Sequence, residues 1–382
     1  MSERTQPDGD AAIQEMLPGL GIDHSTAAAY PAARIPFGPS LLALGKIPGL
    51  GQQRLSKLVD HLGHDIGLLL EGDHVRTLEI LQTAKVADAH RVAEVLAKTR
   101  RDLIETGSRE LELLKQRTIT LLAPAEIPPR LRSLPDGPRW LFVQGNAKVL
   151  DDPPYVAVVG TRQPSQLGTK ATEAVVRTMA AYPITLVSGL ANGIDAAAHQ
   201  FALRDGVINV AFLGHGINVI FPAETSDIRE RIVESGGAVV SEYLPDDHYK
   251  RHFFVARNRL QAGLSDIVVA ADGSVNGGTA HTMRFAARYR RPTVGLQFDN
   301  AGNLTELVSA QEAGEVVKIF DPAGRRHLDQ KFRALCTAVE KPTNGLALVE
   351  HLLDREMRLR DITRTDLEQL TIRLRRLIEE TT

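Results

Sequence analysis

The sequence predicts an α/β protein: a mostly parallel, doubly wound sheet, with a small helical domain before it and a short helical tail after it. Between residues 118 and 320, short apolar runs rich in valine and isoleucine alternate with helical stretches. This alternation is typical of parallel strands that helices cover on both faces. The predicted strands lie at residues 156–159, 184–187, 208–213, 238–240, 267–270 and 293–296.

The composition is that of an ordinary globular protein. The chain has 382 residues, 43% hydrophobic and 24% charged, enough for two or three domains with a buried core. A single cysteine, Cys336, excludes an internal disulfide and a multi-cysteine zinc site, and the scattered histidines predict no metal site. No apolar run approaches the ~20 residues of a membrane span, and no signal pattern opens the chain. We therefore expect a cytoplasmic protein with no membrane partner.

The two ends of the chain differ from the sheet region. Residues 1–38 are rich in Ala, Pro, Gly and Asp without periodicity, so we expect a flexible leader. Residues 325–382 are predicted to be helical, and eight basic and eight acidic residues interleave within 341–382. Such interleaving is typical of solvated helices.

Residues 39–112 are predicted to form the small helical domain. Apolar residues recur there at spacings of three and four up to Gly63, which suits a helix stop. Further helical stretches follow at 75–83 and 89–106, and a proline-rich connector leads from them to the α/β domain, residues 118–320.

One turn in the helical domain resembles a helix-hairpin-helix element. Pro48-Gly49-Leu50-Gly51 lies between two short amphipathic helices. In such elements the backbone N–H groups of the turn hold a DNA phosphate, whereas an ordinary αα turn explains the pattern equally well. On the first interpretation, Gly49 and Gly51 form a secondary DNA contact.

The strongest charge signal lies at residues 248–291. This segment holds eight basic and two acidic residues, a net +6, and since the whole chain has net charge −2, the remainder carries −8. Phe253 and Phe254 interleave with the cations, a pattern that suits single-stranded nucleic acid. Aromatic residues make up only 5% of the chain, so phosphate contacts are expected to dominate. The cations predicted to lie in the approach to a strand are Lys250, Arg251, Arg257 and Arg259.

Glycine-rich turns after three predicted strands are candidate phosphate sites, because ligands of doubly wound sheets bind beyond the carboxyl ends of the strands. A plain turn is the alternative for each. The candidate residues are Gly160, Thr161 and Arg162 in the first turn, Ser188, Gly189, Asn192 and Gly193 in the second, and Gly277, Gly278 and Thr279 in the third.

The second turn resembles a dinucleotide fingerprint but lacks its first glycine, so NAD binding has little support. Asp195 is predicted to cap the helix at 196–203. His199 lies four residues later on the same face and could hydrogen-bond Asp195. A structural pair is favoured over a catalytic one.

A series of motifs runs through the chain between about residues 40 and 296. The main ones are Leu141-Phe-Val-Gln-Gly-Asn146, Val156-Ala-Val-Val-Gly-Thr-Arg162, Ser188-Gly-Leu-Ala-Asn-Gly-Ile-Asp-Ala-Ala-Ala-His199, Phe221-Pro-Ala-Glu224 and Arg257-Asn-Arg-Leu-Gln-Ala-Gly-Leu-Ser265. In sequence and in order, these motifs resemble the DNA processing protein A family, also called DprA or Smf.

The resemblance implies an extended Rossmann-like core, a helix-hairpin-helix or SAM-like N-terminal domain, and a homodimer. It implies binding of single-stranded DNA in a basic pocket and loading of a RecA-type recombinase on incoming single strands during natural transformation. It implies neither catalysis nor a cofactor. Asn192 stands where the family commonly has a basic residue. The family's pocket residues match Arg162, Arg251, Phe254, Arg257 and Asn258.

A second hypothesis is a nucleotide-binding sensor or a phosphoribohydrolase-like enzyme, including one that serves in phage defence. Related Rossmann-like phosphoribohydrolases carry a Gly-Gly-x-Gly-Thr-x-x-Glu loop, and Gly277-Gly278-Thr279 resembles its beginning. No glutamate follows at the required distance, so the general acid or base is missing. The sequence therefore favours a binding protein over an enzyme.

Overall fold

A computed structural model describes residues 34–275, 277–298, 306, 308–309, 311–341, 369, 372–373 and 376. The chain forms two compact units, one up to Phe142 together with Glu242–Asp247, the other Val143–Ser241 together with the chain from His248 onward. In the described part of the chain, no helix has both the length and the apolar character needed to cross a membrane.

The first unit is helical, as the sequence predicts. Its second helix buries Leu55, Leu58 and Leu62 on one face and ends before Gly63, whose φ of 58° lies in the left-handed region. The elements are α1 (Phe37–Gly45), α2 (Gln52–Leu62), α3 (Leu68–Glu71), α4 (His74–Thr83), α5 (Ala89–Gln116), strand β1 (Ile119–Leu122) and α6 (Pro129–Arg132).

Helix α5 is longer than the sequence predicts, because Gly107 does not interrupt it. A Cβ on Gly107 would lie 2.2 Å from the carbonyl oxygen of Pro39 and 2.8 Å from the nitrogen of Ala43. The glycine therefore lets α1 and α5 pack closely, and the helix continues for almost three further turns.

Parallel strands alternate with helices in the second unit. The strands are β2 (Leu141–Gly145, across the unit boundary), β3 (Tyr155–Gly160), β4 (Thr185–Ser188), β5 (Asn209–Phe212), β6 (Ala238–Ser241), β7 (Ile267–Asp272), β8 (Thr293–Gln297) and β9 (Gly314–Lys318). The helices are α7 (Gln166–Met179), α8 (Ile194–Arg204), α9 (Ser226–Glu234), α10 (Arg251–Leu264), α11 (Gly278–Arg288) and α12 (Pro322–Ala338).

The strands of this unit follow the order β2-β6-β5-β4-β3-β7-β8-β9, and each neighbouring pair from β6 to β9 is parallel. The chain winds outward from β3 to β6 and then returns to the other side of β3. The order therefore reverses between β3 and β7, which makes the carboxyl ends of these two strands the topological switch point. Val156, Val158 and Val269 are fully buried in the core beside it.

One prediction about local structure is wrong, and some strands are additional to the predicted ones. Lys250, Arg251, Arg257 and Arg259 do not lie in the approach to a strand, because helix α10 begins at Arg251 and contains the arginines. The strands β1, β2 and β9 are additional to the six that the sequence predicts. Strand β9 is only partly buried, so it lacks the apolar run that marks the central strands.

Candidate nucleic-acid interface

Helix α10 lies across the carboxyl ends of β4 and β5. Arg257, on the buried face of α10, donates hydrogen bonds to the carbonyl oxygens of Gly189 (2.6 Å) and Phe212. Gly189 directly follows β4, and Phe212 is the last residue of β5. Arg257 is only 3% exposed, so it joins α10 to the sheet and does not present its charge at the surface.

Several other predicted phosphate ligands are also buried. Asn258 directs its side-chain amide to the carbonyl of Gly278 (3.4 Å), Arg259 hydrogen-bonds the carbonyl of Ala256, and the hydroxyl of Ser188 donates to the carbonyl of Val158 (2.7 Å). Thr279 is buried as well. These side chains support the loops around the carboxyl edge of the sheet.

The exposed part of the candidate site combines cations with aromatic rings. The Arg162 guanidinium lies 5.0 Å from the centroid of the Phe254 ring. Phe254 packs against Phe221 (5.8 Å between centroids), and Phe221 stacks on Tyr249 at 3.7 Å and 21°. We name Phe221, Tyr249 and Phe254 the aromatic cluster. Tyr249 is 48% exposed, so one of its faces is open to a ligand.

Further exposed polar groups lie directly after Tyr249 in the sequence and on the loop after β4. Lys250 follows Tyr249 directly, lies 5.1 Å from the Phe253 ring and is exposed, as is Arg251 at the first turn of α10. Asn192, on the loop after β4, is exposed too. A guanidinium or ammonium group beside an aromatic face gives a surface that can hold a phosphate and a base together.

A buried polar network holds the loop that carries Phe221. Arg229, 8% exposed, donates to the carbonyls of Ile217 (2.6 Å) and Val219 (3.0 Å), and Nε2 of His215 donates to the carbonyl of Phe221 (2.9 Å). Gly214 makes room for the neighbouring ring, because a Cβ there would lie 2.5 Å from Phe254. These buried contacts therefore hold the loop of Phe221 in place and leave space for the ring of Phe254.

Sequence reasoning missed Phe221 and Tyr249 as site residues. Phe221 begins the motif Phe221-Pro-Ala-Glu224, but it lies nine residues after the end of β5. At that distance the sequence does not indicate that Phe221 lies at the edge of the sheet. Tyr249 precedes the cationic pair Lys250-Arg251 directly, so the local pattern of aromatic and basic residues was a usable signal.

The glycines of the first two turns serve packing between chain segments. A Cβ on Gly160 would lie 2.4 Å from the Ile194 side chain, one on Gly193 (φ 88°) 2.3 Å from the Thr161 carbonyl, and one on Gly189 2.2 Å from Arg257. In the third turn Gly278 is exposed, and Gly277 is the N-cap of α11. Asn276 lies outside the described residues.

The predicted Asp195–His199 pair does not form. Gly193, and not Asp195, is the N-cap of α8, and Nδ1 of His199 donates to Oδ1 of Asn209 (2.8 Å). Burial raises the pKa of Asp195, while the positive charge of Arg257 acts in the opposite direction. Burial lowers the pKa of His199 to about 4. Asp195 therefore lies buried at the start of α8, and His199 joins α8 to the first residue of β5.

The basic segment at residues 248–291 is not one patch. Arg257 and Arg259 are buried, and Arg291 donates to the carbonyl of Gly263. Arg288 and Arg290 follow at the end of α11, which runs from the carboxyl edge of the sheet to the amino edge. Arg284 is half-buried within α11. Lys250 and Arg251 are exposed at the start of α10, directly after Tyr249 of the aromatic cluster.

The predicted hairpin contact lies in the first unit. Gly49 has a φ of 89°, and Gly51 is the N-cap of α2. The two nearby cations are paired with carboxylates: Lys46 with Glu110 (2.7 Å) and Asp246 (3.5 Å), and Arg54 with Asp88 (3.0 Å). The positive charge beside the turn is therefore largely neutralised.

In the described residues, no three His, Cys, Asp or Glu side chains form a group that could hold a metal ion.

Comparison with known proteins places the chain in one family. A family model described as DNA recombination-mediator protein A matches residues 118–314. Protein Smf of Escherichia coli is 36% identical over 169 residues, 44% of this chain and 45% of that protein. DNA processing protein DprA of Streptococcus pneumoniae is 38% identical over 152 residues, 40% of this chain and 53% of that protein. The chain thus spans about half the length of these relatives.

A solved structure supports the same assignment. It concerns the single-stranded DNA binding mode of DNA processing protein A from Helicobacter pylori, and it has 26% identity and a TM-score of 0.51. The match covers 57% of this chain and 97% of that one. With the family model matching half of its length and an extended Rossmann-like sheet at its centre, this chain belongs to the DNA recombination-mediator protein A family.

Proposed function

We propose that this protein binds single-stranded DNA at the carboxyl edge of the sheet in its second unit. The observation that carries the proposal is the Arg162 guanidinium on the Phe254 ring, beside the stacked pair Phe221 and Tyr249. Bases would stack on the open face of Tyr249, while Arg162, Lys250 and Arg251 hold the adjacent phosphates.

The preference for single strands follows from the aromatic cluster. A base in a duplex already stacks on its neighbours, so its faces are covered and cannot reach Tyr249. A single strand can turn a base out at little cost. Stacking of this kind is largely independent of sequence, because every base has a π-face.

The wider role is that of a recombination mediator. The matched family model is described by that term, and the related H. pylori structure concerns binding of single-stranded DNA. Together with the motif resemblance, this supports a cytoplasmic homodimer that loads a RecA-type recombinase on incoming single strands during DNA processing and natural transformation. The proposal requires neither catalysis nor a cofactor. In the third glycine turn it keeps the backbone of Gly277 and Gly278 as a further phosphate contact, but not the buried side chain of Thr279.

The test compares three labelled ligands by fluorescence anisotropy: oligothymidylate, an abasic oligonucleotide of equal length, and a duplex. We expect the wild-type protein to prefer oligothymidylate over both others. Tyr249→Ala should lose roughly tenfold in affinity for oligothymidylate and little for the abasic strand, since stacking contributes about 1–3 kcal/mol per base. Tyr249→Phe keeps the ring and should bind as the wild type does.

Arg162 provides the matching test of the phosphate contact. Arg162→Ala should weaken binding of oligothymidylate and of the abasic strand alike, because the cation contacts the backbone. Arg177→Ala is the control, an exposed arginine at the other end of helix α7. Equal affinity of the wild type for all three ligands, or unchanged binding in both site variants, would contradict the proposal.

A further inference from the structure

At the topological switch point between β3 and β7, a carboxylate of the protein itself lies where a phosphate would be expected to bind. In doubly wound sheets this crevice is the usual phosphate site, because the helix after the first strand points its free N–H groups and its positive dipole end into it. Here that helix is α7, which has 14 residues and begins just beyond Ser165, its N-cap.

The side chain of Asp272 occupies the N-terminus of α7. Asp272 ends strand β7, and its Oδ2 accepts hydrogen bonds from the backbone N–H of Ser165 (2.9 Å) and from the Ser165 hydroxyl (3.0 Å). The same hydroxyl oxygen accepts from the N–H of Gly168 (2.9 Å). A Cβ on Gly168 would lie 2.1 Å from Oδ2 of Asp272, so the first turn of α7 closes directly on the carboxylate.

The backbone around the carboxylate is fixed as well. The N–H of Thr161 donates to the carbonyl oxygen of Asp272 (2.8 Å), which ties the glycine turn after β3 to the end of β7. Gly160 has the Ile194 side chain and the same carbonyl within 2.8 Å of its Cβ position. A phosphate that approaches this point would meet the like charge of the Asp272 carboxylate.

We infer that Asp272 is a specificity-determining residue, whose carboxylate on the first turn of α7 excludes the phosphate of free nucleotides from the switch point. The inference deepens the proposed function, on which its biological meaning rests. A ligand must then bind through the aromatic cluster and its cations, a surface that suits a polynucleotide with several bases and phosphates. A mononucleotide, which depends on a single phosphate, finds no anion site at the N-terminus of α7.

The test is titration of thymidine 5′-monophosphate into the full-length protein by isothermal titration calorimetry. In Asp272→Asn the amide oxygen can still accept from the N–H of Ser165, so the turn is retained and only the charge is removed. Asp266→Asn is the matched control: Oδ2 of Asp266 accepts from the N–H of Tyr155 (2.8 Å) at the amino ends of the same two strands.

We expect Asp272→Asn to bind the monophosphate at least roughly tenfold more tightly than the wild type, the size of a favourable helix-dipole interaction with an anion. Asp266→Asn should bind it as weakly as the wild type does. Equal binding by the wild type and Asp272→Asn, or an equal gain in Asp266→Asn, would overturn the inference.

A second measurement needs no variant. Hydrogen exchange of the amides at residues 165–168 in the wild-type protein should be unchanged by millimolar thymidine monophosphate, and slower exchange would overturn the inference. Both readouts use the monophosphate, so they are independent of oligothymidylate binding. Failure of the wild type to bind oligothymidylate would end the proposed function and leave this result standing.

Discussion

Arg257 is a buried cation whose hydrogen bonds go to the ends of two strands. Its guanidinium donates to the carbonyls of Gly189 and Phe212, and its charge partly offsets the burial of Asp195. Removing the guanidinium leaves two buried carbonyls and a buried carboxyl group without this partner. Losing the partner of a buried polar group lowers the free energy of unfolding. Its role is to position the loop after β4, and any effect on DNA binding is transmitted through that loop.

Arg257→Met should therefore lower the free energy of unfolding by about 2–4 kcal/mol. Urea unfolding followed by circular dichroism measures it. Arg162→Ala, at an exposed position on the same edge of the sheet, should change stability by less than about 0.5 kcal/mol. Similar stability of the two variants would contradict the structural role of Arg257.

His199 makes stability depend on pH. Burial lowers its pKa to about 4 in the folded protein, against 6.5 for the free side chain. The unfolded chain therefore binds a proton first, and stability is lost as the pH falls from about 6.5 toward 4. This single group should remove on the order of 2 kcal/mol between pH 7.5 and pH 5.

The measurement compares urea unfolding of the wild type and His199→Gln at both pH values. Glutamine retains a donor for Asn209 but has no titrating group, so the variant should lose less stability on acidification. His215, whose pKa burial also lowers, remains in both proteins and cancels in the comparison. An equal loss in the two proteins would show that His199 does not titrate as described.

At the scale of elements, the two glycines of the hairpin between α1 and α2 differ in what the fold requires of them. Gly49 has a φ of 89°, which an L side chain adopts only with strain, whereas a Cβ on Gly51 would meet no described atom within 4 Å. Gly49→Ala should destabilise the protein by about 1 kcal/mol. Gly51 is the N-cap of α2, where serine is at least as favourable as glycine, so Gly51→Ser should not lower stability.

Gly51→Ser then tests the secondary DNA contact without a folding defect. Because Lys46 and Arg54 are paired with carboxylates, we expect its affinity for oligothymidylate and for duplex DNA to fall less than about twofold. Anisotropy with both ligands measures it. A large loss with either ligand would establish the hairpin as a true contact despite its neutralised cations.

The elements that the sequence predicts well are those with a strong local pattern. The six predicted strands are all present, because β-branched runs buried on both faces of a parallel sheet leave a continuous apolar signal. Helix α10 was missed because its first residues are aromatic and basic and its remaining residues are buried nearly all round, so no amphipathic stripe appears.

Burial explains the site residues that sequence reasoning misjudged. Arg162 and Arg251 are exposed and Phe254 is half-buried. The side chains of Arg257, Asn258 and Arg259 are buried, and nothing in the sequence separates the two groups. Arginine is usually exposed, so a cationic segment indicates a surface. In α10 the buried arginines instead satisfy backbone carbonyls of other segments, a tertiary contact without a local signature.

At the scale of the whole molecule, the salt dependence of binding reports how many cations face the DNA. The net charge of −2 gives no general attraction to DNA, and the buried or distant arginines of 248–291 contribute little. Among the residues that the structure describes, the exposed cations assigned to the proposed site are Arg162, Lys250 and Arg251. Each phosphate contact on a single strand releases a counterion, so the slope of log K against log salt should be about −2.

Anisotropy of labelled oligothymidylate over a series of sodium chloride concentrations measures this slope. Arg162→Ala should make it shallower by about 0.7, the value for one phosphate contact on a single strand. Arg288→Ala, at the far end of α11, should leave it unchanged. A wild-type slope steeper than about −5 would mean that seven or more cations take part. DNA would then follow a much longer path over the surface than the aromatic cluster provides, and the acidic remainder of the chain would not confine it to one edge of the sheet.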